Sequence, residues 1–177
     1  MTLIYGFKHI KLKELESAYI IWLKPTFLKN KVYIMTDIED KDEEKWIFYI
    51  VHNKGCTYAG VSPDPVKRLR KHNGEISGGA KYTLSKGPGW EHVCLISGFQ
   101  TKIQALQFEW ASKHVPPRDA GGLINRAKKL YILLNKTQWT SKSPLAKTIP
   151  LTIEWKMQVE CKDRTVPSYI TDMPWVG

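Results

Sequence analysis

Residues 46–53, WIFYIVHN, are an unbroken aliphatic and aromatic run of strand length, and TYAGV (57–61) returns after the turn Lys54-Gly55-Cys56. Branched and aromatic side chains suit a pleated, half-buried surface, and two such runs around a short glycine turn predict an antiparallel hairpin. A lone hairpin is marginal in water, so other elements must cover it. WEHVCLISGF (90–99) alternates as a third strand would.

Helices are predicted before and after that strand. Ser62 is an N-cap candidate with Pro63 at the first helical position, and this helix runs to about His72 and stops at Asn73-Gly74. Residues 74–89, rich in glycine, read as a loop. Thr101 caps the next helix, which the Pro116-Pro117 pair ends. Ile103, Leu106, Phe108 and Trp110 cover much of its circumference, so it is expected to be largely buried. Residues 121–134 form another helix with Leu123, Ala127, Leu130, Leu133 and Leu134 inward, and PLTIEWKMQVE (150–160) reads as a last strand. Near the start, residues 9–23 read as an amphipathic helix ended by Pro25, and 31–36 as a short strand. The acidic run 37–45 follows as a solvated linker, or as a cover for a basic groove.

The charge is distributed unevenly. The chain has 177 residues and a net charge of +10, yet residues 1–45 hold eight lysines and eight acids. Residues 46–177 carry nineteen Lys or Arg against nine acids, so the whole excess lies there. A basic body points to a polyanion, usually nucleic acid and sometimes an anionic membrane. Cys56, Cys94 and Cys161 are scattered without a C-x-x-C pair, which argues against a zinc module and suits a reducing compartment. No apolar run approaches the length of a membrane span, and Lys8, Lys11 and Lys13 interrupt any signal-peptide core. The expected location is nuclear or cytoplasmic.

Four polar features are hard to explain by packing alone. Tyr49 and Tyr58 lie on the hairpin, and Arg68 and His72 stand four apart on one helix face. Glu109 sits in an apolar helix between Phe108 and Trp110, where a carboxylate is costly to bury unless paired or bound to metal. The loop GGAKYTLSKGPGW offers glycines and lysines to a phosphate backbone. Cleaving a phosphodiester needs an activated water, charge stabilisation at phosphorus and help for the leaving oxygen. Glu109 can hold one divalent cation with water and phosphate oxygens completing its shell. Arg68 can grip the phosphate, and Tyr49 or His72 can take the proton from water.

These residues meet a family. TYAGVSPDPVKRLRKHN, GEISGGAKYT, KGPGWEHV and ALQFEWASKH resemble, in that order, the motifs of the GIY-YIG nucleases. The resemblance is closest to the Slx-type structure-specific endonuclease catalytic subunit, covers roughly residues 46–115, and fades to about 155. It implies an α+β GIY-YIG fold, a small three-stranded, mainly antiparallel sheet flanked by helices. The expected organisation is an N-terminal extension (1–45), a nuclease domain (46–115) and a C-terminal helical extension with a terminal strand and tail (116–177). The resemblance also implies roles. Tyr49 is the proton acceptor for the attacking water, and Tyr58 orders water or phosphate. Arg68 contacts the scissile phosphate, His72 supports proton transfer, and Glu109 is the metal-binding carboxylate for one Mg²⁺ or Mn²⁺ per active site. Lys67, Arg70, Lys71 and Lys81 are then DNA-backbone contacts.

The sequence departs from the family at several points. The first motif reads Ile47-Phe48-Tyr49 and so lacks its glycine, Ala59 replaces a branched residue, and Gly89 separates Pro88 from Trp90. The RING-like zinc module of Slx-type proteins is expected to be absent, which makes a scaffold partner doubtful; a homodimer is an open option. A compact chain of this kind suits a large DNA virus. The expected activity is divalent-metal-dependent cleavage of branched or flapped DNA in repair or recombination. The alternatives are a sequence-specific restriction or homing enzyme of the same fold and a non-catalytic DNA-binding module.

Overall fold

The computed structural model describes residues 45–116, 118, 121–161 and 165–176. The helix expected over 9–23, the strand over 31–36 and nearly all of the acidic run lie outside the described residues.

β1 (Ile47–Asn53) and β2 (Cys56–Ser62) pair antiparallel in full register, from Ile47 opposite Ser62 to Asn53 opposite Cys56. The turn is therefore the two residues Lys54 and Gly55, not three, and Cys56 already belongs to the strand. Both turn residues have positive φ, 46° and 80°, the geometry whose twist matches that of the flanking strands. β3 (Glu91–Ser97) pairs antiparallel with the other side of β1. β4 (Thr152–Trp155) adds antiparallel to β3, and β5 (Thr171–Met173) adds parallel to β4. The sheet has five strands in the order β2-β1-β3-β4-β5. The α+β class holds, and the three-stranded core is extended by two strands from the C-terminal segment. The last strand is not 150–160: pairing stops at Trp155, and Thr171–Met173 closes the sheet.

Four helices flank this sheet among the described residues: α1 (Pro65–His72), α2 (Lys81–Ser85), α3 (Lys102–His114) and α4 (Leu123–Leu134). Successive strand residues point to opposite faces, and the two faces of β1 lead to different environments. Phe48 and Ile50 enter the main core with Ile96, Phe108, Leu130 and Leu133. Phe108 meets Phe48 edge-on at 5.0 Å and Trp139 at 4.9 Å. Each such aromatic pair contributes about 1 kcal/mol beyond the area it buries. Tyr49 and Val51 face the other way and form a small cluster with Trp90. Ile47, at the first-motif position where the family has glycine, is half-buried at the start of β1. No described helix is long and apolar enough to cross a membrane.

Two local expectations change. α1 is capped by Asp64, whose Oδ1 accepts from the Lys67 N–H at 2.8 Å, with Pro65 as first residue. Ser62 instead folds its hydroxyl back on Asp64. The cap moves because two Pro-flanked polar residues compete and the aspartate is the better placed. The stretch read as a loop also contains α2.

Candidate active site

Tyr49 is 1% exposed and lies directly opposite Gly60 in the ladder. A Cβ at position 60 would stand 2.4 Å from the Tyr49 hydroxyl, so the phenol lies across β2 because glycine is there. Tyr58, two residues earlier on β2, shares that face and packs against the same small cluster.

α1 brings two further groups to the phenol. Arg68 Nε donates to Tyr49 Oη at 3.3 Å, and Tyr49 Oη meets His72 Nε2 at 2.9 Å. His72 is fully buried. Its Nδ1 lies 2.8 Å from Thr83 Oγ1, and the Thr83 hydroxyl donates to the Ala80 carbonyl at 2.9 Å. With its one hydrogen spent on that carbonyl, Thr83 accepts from Nδ1–H. This leaves the Nε2 lone pair to accept from the Tyr49 hydroxyl. The order Tyr49, His72, Thr83, Ala80 is a directional chain of donors.

Burial pushes the Tyr49 phenol up to about 12, against the opposing pull of Arg68. Burial, then the charge of Arg68 and the neighbouring His92, pulls His72 down to about 4. At neutral pH the pair is therefore phenol and neutral imidazole. Burial works against the Arg68 charge, but contacts with both Tyr49 and Tyr58 outweigh it and raise its pKa. Arg68 Nη1 also donates to the Gly78 carbonyl at 3.0 Å, tying the glycine loop to α1.

Glu109 comes from α3, whose Phe108 packs under the opposite face of the sheet. β2 is the edge strand, and α3 packs against it. Its Oε1 accepts from Lys113 Nζ at 2.6 Å, and the same ammonium lies 5.8 Å from the centre of the Tyr58 ring. The charge of Glu109 is among the causes that raise the Tyr49 pKa. The expectation of a largely buried helix needs correction. Ile103, Leu106 and Trp110 are exposed, and Trp110 stacks on His114 at 3.9 Å. Glu109 is half-buried on the helix flank rather than sunk in an apolar surface.

The basic residues divide by their surroundings. Lys67 and Lys81 are exposed, Lys71 is half-buried along the glycine loop, and Arg70 is exposed but engaged by Glu75 at 3.0 Å. A Cβ at Gly79 would meet the Lys71 carbonyl at 2.2 Å, so the loop can lie on α1 only with glycine there. Asn73 holds the far end of the loop, accepting from the Gly89 and Trp90 N–H groups at 2.9 and 2.8 Å. The additional residue Gly89 is accommodated with φ 103°.

Sequence reasoning missed Thr83, His92 and the role of Lys113. Lys113 was legible as the residue four after Glu109. Thr83 was not, because the glycine loop that folds it onto His72 has no periodicity. His92 packs edge-on to Tyr49 at 6.0 Å. Among the described residues there is no group of three or more His, Cys, Asp or Glu that could cage a metal. The half-buried Glu109 carboxylate, whose charge is felt at the Tyr49 phenol that Arg68 also engages, nevertheless fits a hydrated Mg²⁺ or Mn²⁺, which keeps waters and takes its other oxygens from a phosphate substrate.

Comparison with known proteins agrees with this geometry. Residues 45–115 match the GIY-YIG catalytic domain. A structure-specific endonuclease subunit slx1 of Aspergillus terreus is 33% identical over 141 residues, covering 70% of this chain and 36% of the relative. The same-named subunit of Schizosaccharomyces japonicus is 56% identical over 57 residues, 32% of this chain and 20% of the relative. That of Phaeosphaeria nodorum is 36% identical over 108 residues, 60% of this chain and 30% of the relative. The chain thus spans little more than a third of these relatives' length at most.

Proposed function

We propose, for a chain whose residues 45–115 belong to the GIY-YIG catalytic-domain family, that it is a divalent-metal-dependent endonuclease acting on branched or flapped DNA. The observation that supports this reading is the convergence of Arg68 and His72 on the phenolic oxygen of Tyr49, a phenol at which the charge of Glu109 is also felt.

Arg68 pairs with the scissile phosphate and offsets charge that develops there. Tyr58, half-buried beside it, orders the phosphate or the attacking water. Tyr49 accepts a proton from that water while its own proton passes to His72 Nε2; oxygen adds to phosphorus and the bond to the leaving oxygen breaks. Thr83 holds His72 in the tautomer that can receive this proton. A phosphate on Arg68 neutralises one of the charges that depress the His72 pKa, so substrate binding favours the transfer. Glu109 would hold Mg²⁺ or Mn²⁺, which when bound stabilises charge on the phosphate and leaving oxygen. Lys67, Lys71, Lys81 and, more weakly, Arg70 contact the DNA backbone. A nuclear or cytoplasmic setting follows from a DNA substrate.

The test is a cleavage panel of flap, fork, four-way junction, linear duplex and single strand, with Mg²⁺ or Mn²⁺ and with EDTA. Nicking of branched substrates that EDTA and Glu109→Gln abolish is expected. Cleavage of plain duplex at one sequence would transfer the assignment to a restriction or homing activity, and full activity of Glu109→Gln would remove it.

A further inference from the structure

We propose that Lys113 is a built-in counter-ion that holds Glu109 until a divalent cation displaces it. The inference rests on Glu109 being the cation ligand. Lys113 stands one helical turn beyond Glu109, and its Nζ is 2.6 Å from Oε1. The Glu109 side chain is 19% exposed and that of Lys113 43%. A carboxylate that has lost much of its hydration needs a compensating charge, and in the free protein the ammonium supplies it.

Two features give the lysine a second resting place. Its Nζ is already 5.8 Å from the Tyr58 ring centre, within reach of the negative face of the phenol. Its own exposure leaves the stem free to swing. An ammonium at 2.6 Å from Oε1 and a divalent cation bound to the same carboxylate, on either oxygen, stand close enough to repel strongly, so occupancy is an exchange: the cation enters and the lysine moves off. The free site is thereby protected from weak, unproductive cation binding. Its cation affinity is lowered by the strength of the contact it must break. A surface pair of this spacing corresponds to a factor of about two, and a partly desolvated charge-assisted contact to about tenfold.

The experiment measures Mn²⁺ binding to the DNA-free protein from the electron paramagnetic resonance signal of free Mn²⁺. Lys113→Gln, at an exposed position whose folding a thermal melt checks, is expected to bind Mn²⁺ about two- to tenfold tighter than wild type. Glu109→Gln in the same background is expected to erase that gain. A second reading follows acetylation of Lys113 by an activated ester with peptide mass spectrometry. Mn²⁺ should speed modification in wild type, whereas in Glu109→Gln it should be fast from the outset. Equal or weaker Mn²⁺ affinity in Lys113→Gln, or a Lys113 modification rate indifferent to Mn²⁺ in wild type, overturns the proposal. If Glu109→Gln takes up Mn²⁺ as wild type does, the carboxylate is no ligand and the metal assignment fails with it. If Glu109→Gln loses binding while Lys113→Gln is unchanged, only the exchange is wrong.

Discussion

The hydroxyl of Tyr49 occupies the space that a side chain on Gly60 would need. The two residues face each other across an antiparallel ladder. The glycine of the second strand is therefore a steric provision for the tyrosine of the first.

Gly60→Ala should expel the phenol from its place between Arg68 and His72. Overpacking of this kind costs about 1–3 kcal/mol, and the loss of alignment should lower cleavage more than about 100-fold. Adding Tyr49→Ala to Gly60→Ala relieves the clash, so in thermal melts the double variant should lose less stability than the two single losses summed, while cleavage assays stay flat. Unchanged activity in Gly60→Ala alone would contradict the placement.

Arg68 and Glu109 should separate binding from chemistry. Glu109→Gln removes the proposed cation ligand, so electrophoretic mobility shifts with flapped DNA should resemble wild type while cutting is lost. Arg68→Ala removes the proposed phosphate contact and should weaken both. Equal binding losses in the two variants would show that the two residues do not divide the work in this way.

The buried His72 gives stability a definite pH dependence. Its folded pKa of about 4 lies below the ordinary value of 6.5, so the folded state favours the neutral ring. The associated stability is fully present above about pH 6.5 and is lost as pH falls toward 4, amounting to on the order of 3 kcal/mol. His92, lowered by its own burial, acts in the same direction. Urea unfolding at pH 7, 5.5 and 4 measures the loss. In the DNA-bound Glu109→Gln protein, NMR titration should place His72 higher than in the free one, because phosphate cancels the Arg68 charge.

The four proposed backbone contacts should not be equal. Lys67→Ala and Lys81→Ala should each reduce the slope of log affinity against log salt by about one. Arg70→Ala should reduce it less, because Glu75 already engages that guanidinium. Fluorescence anisotropy from 50 to 200 mM salt decides between this order and a uniform effect.

The hairpin, α1, β3, α3 and α4 were legible because each has a clear period or a strong terminus signal. The five polar residues were legible by type and order. The parts that escaped depend on contacts distant in sequence. α2 is five residues long and lies inside a glycine-rich stretch, where local pattern says loop. β5 has three residues and forms by pairing with β4, a preference nothing in Thr171–Met173 announces. α3 was read as buried because Ile103, Leu106 and Trp110 are apolar, yet hydrophobic residues on a helix do not all find a partner within one chain. The Thr83 contact that orients His72 depends on the Gly79 close approach, which becomes visible only in three dimensions.

The acid and the phenols come from opposite layers: α3 packs under the Phe48 face of the sheet, and Tyr49 faces the other way. The acid is also the last of the set to be made on the ribosome. Under the proposed activity, a nascent chain that has completed its first hairpin and α1 would carry the grip for a nucleic acid but no means of cutting it. Competence would then arrive only when α3 docks, with hydrolytic power withheld until both layers of the domain have closed.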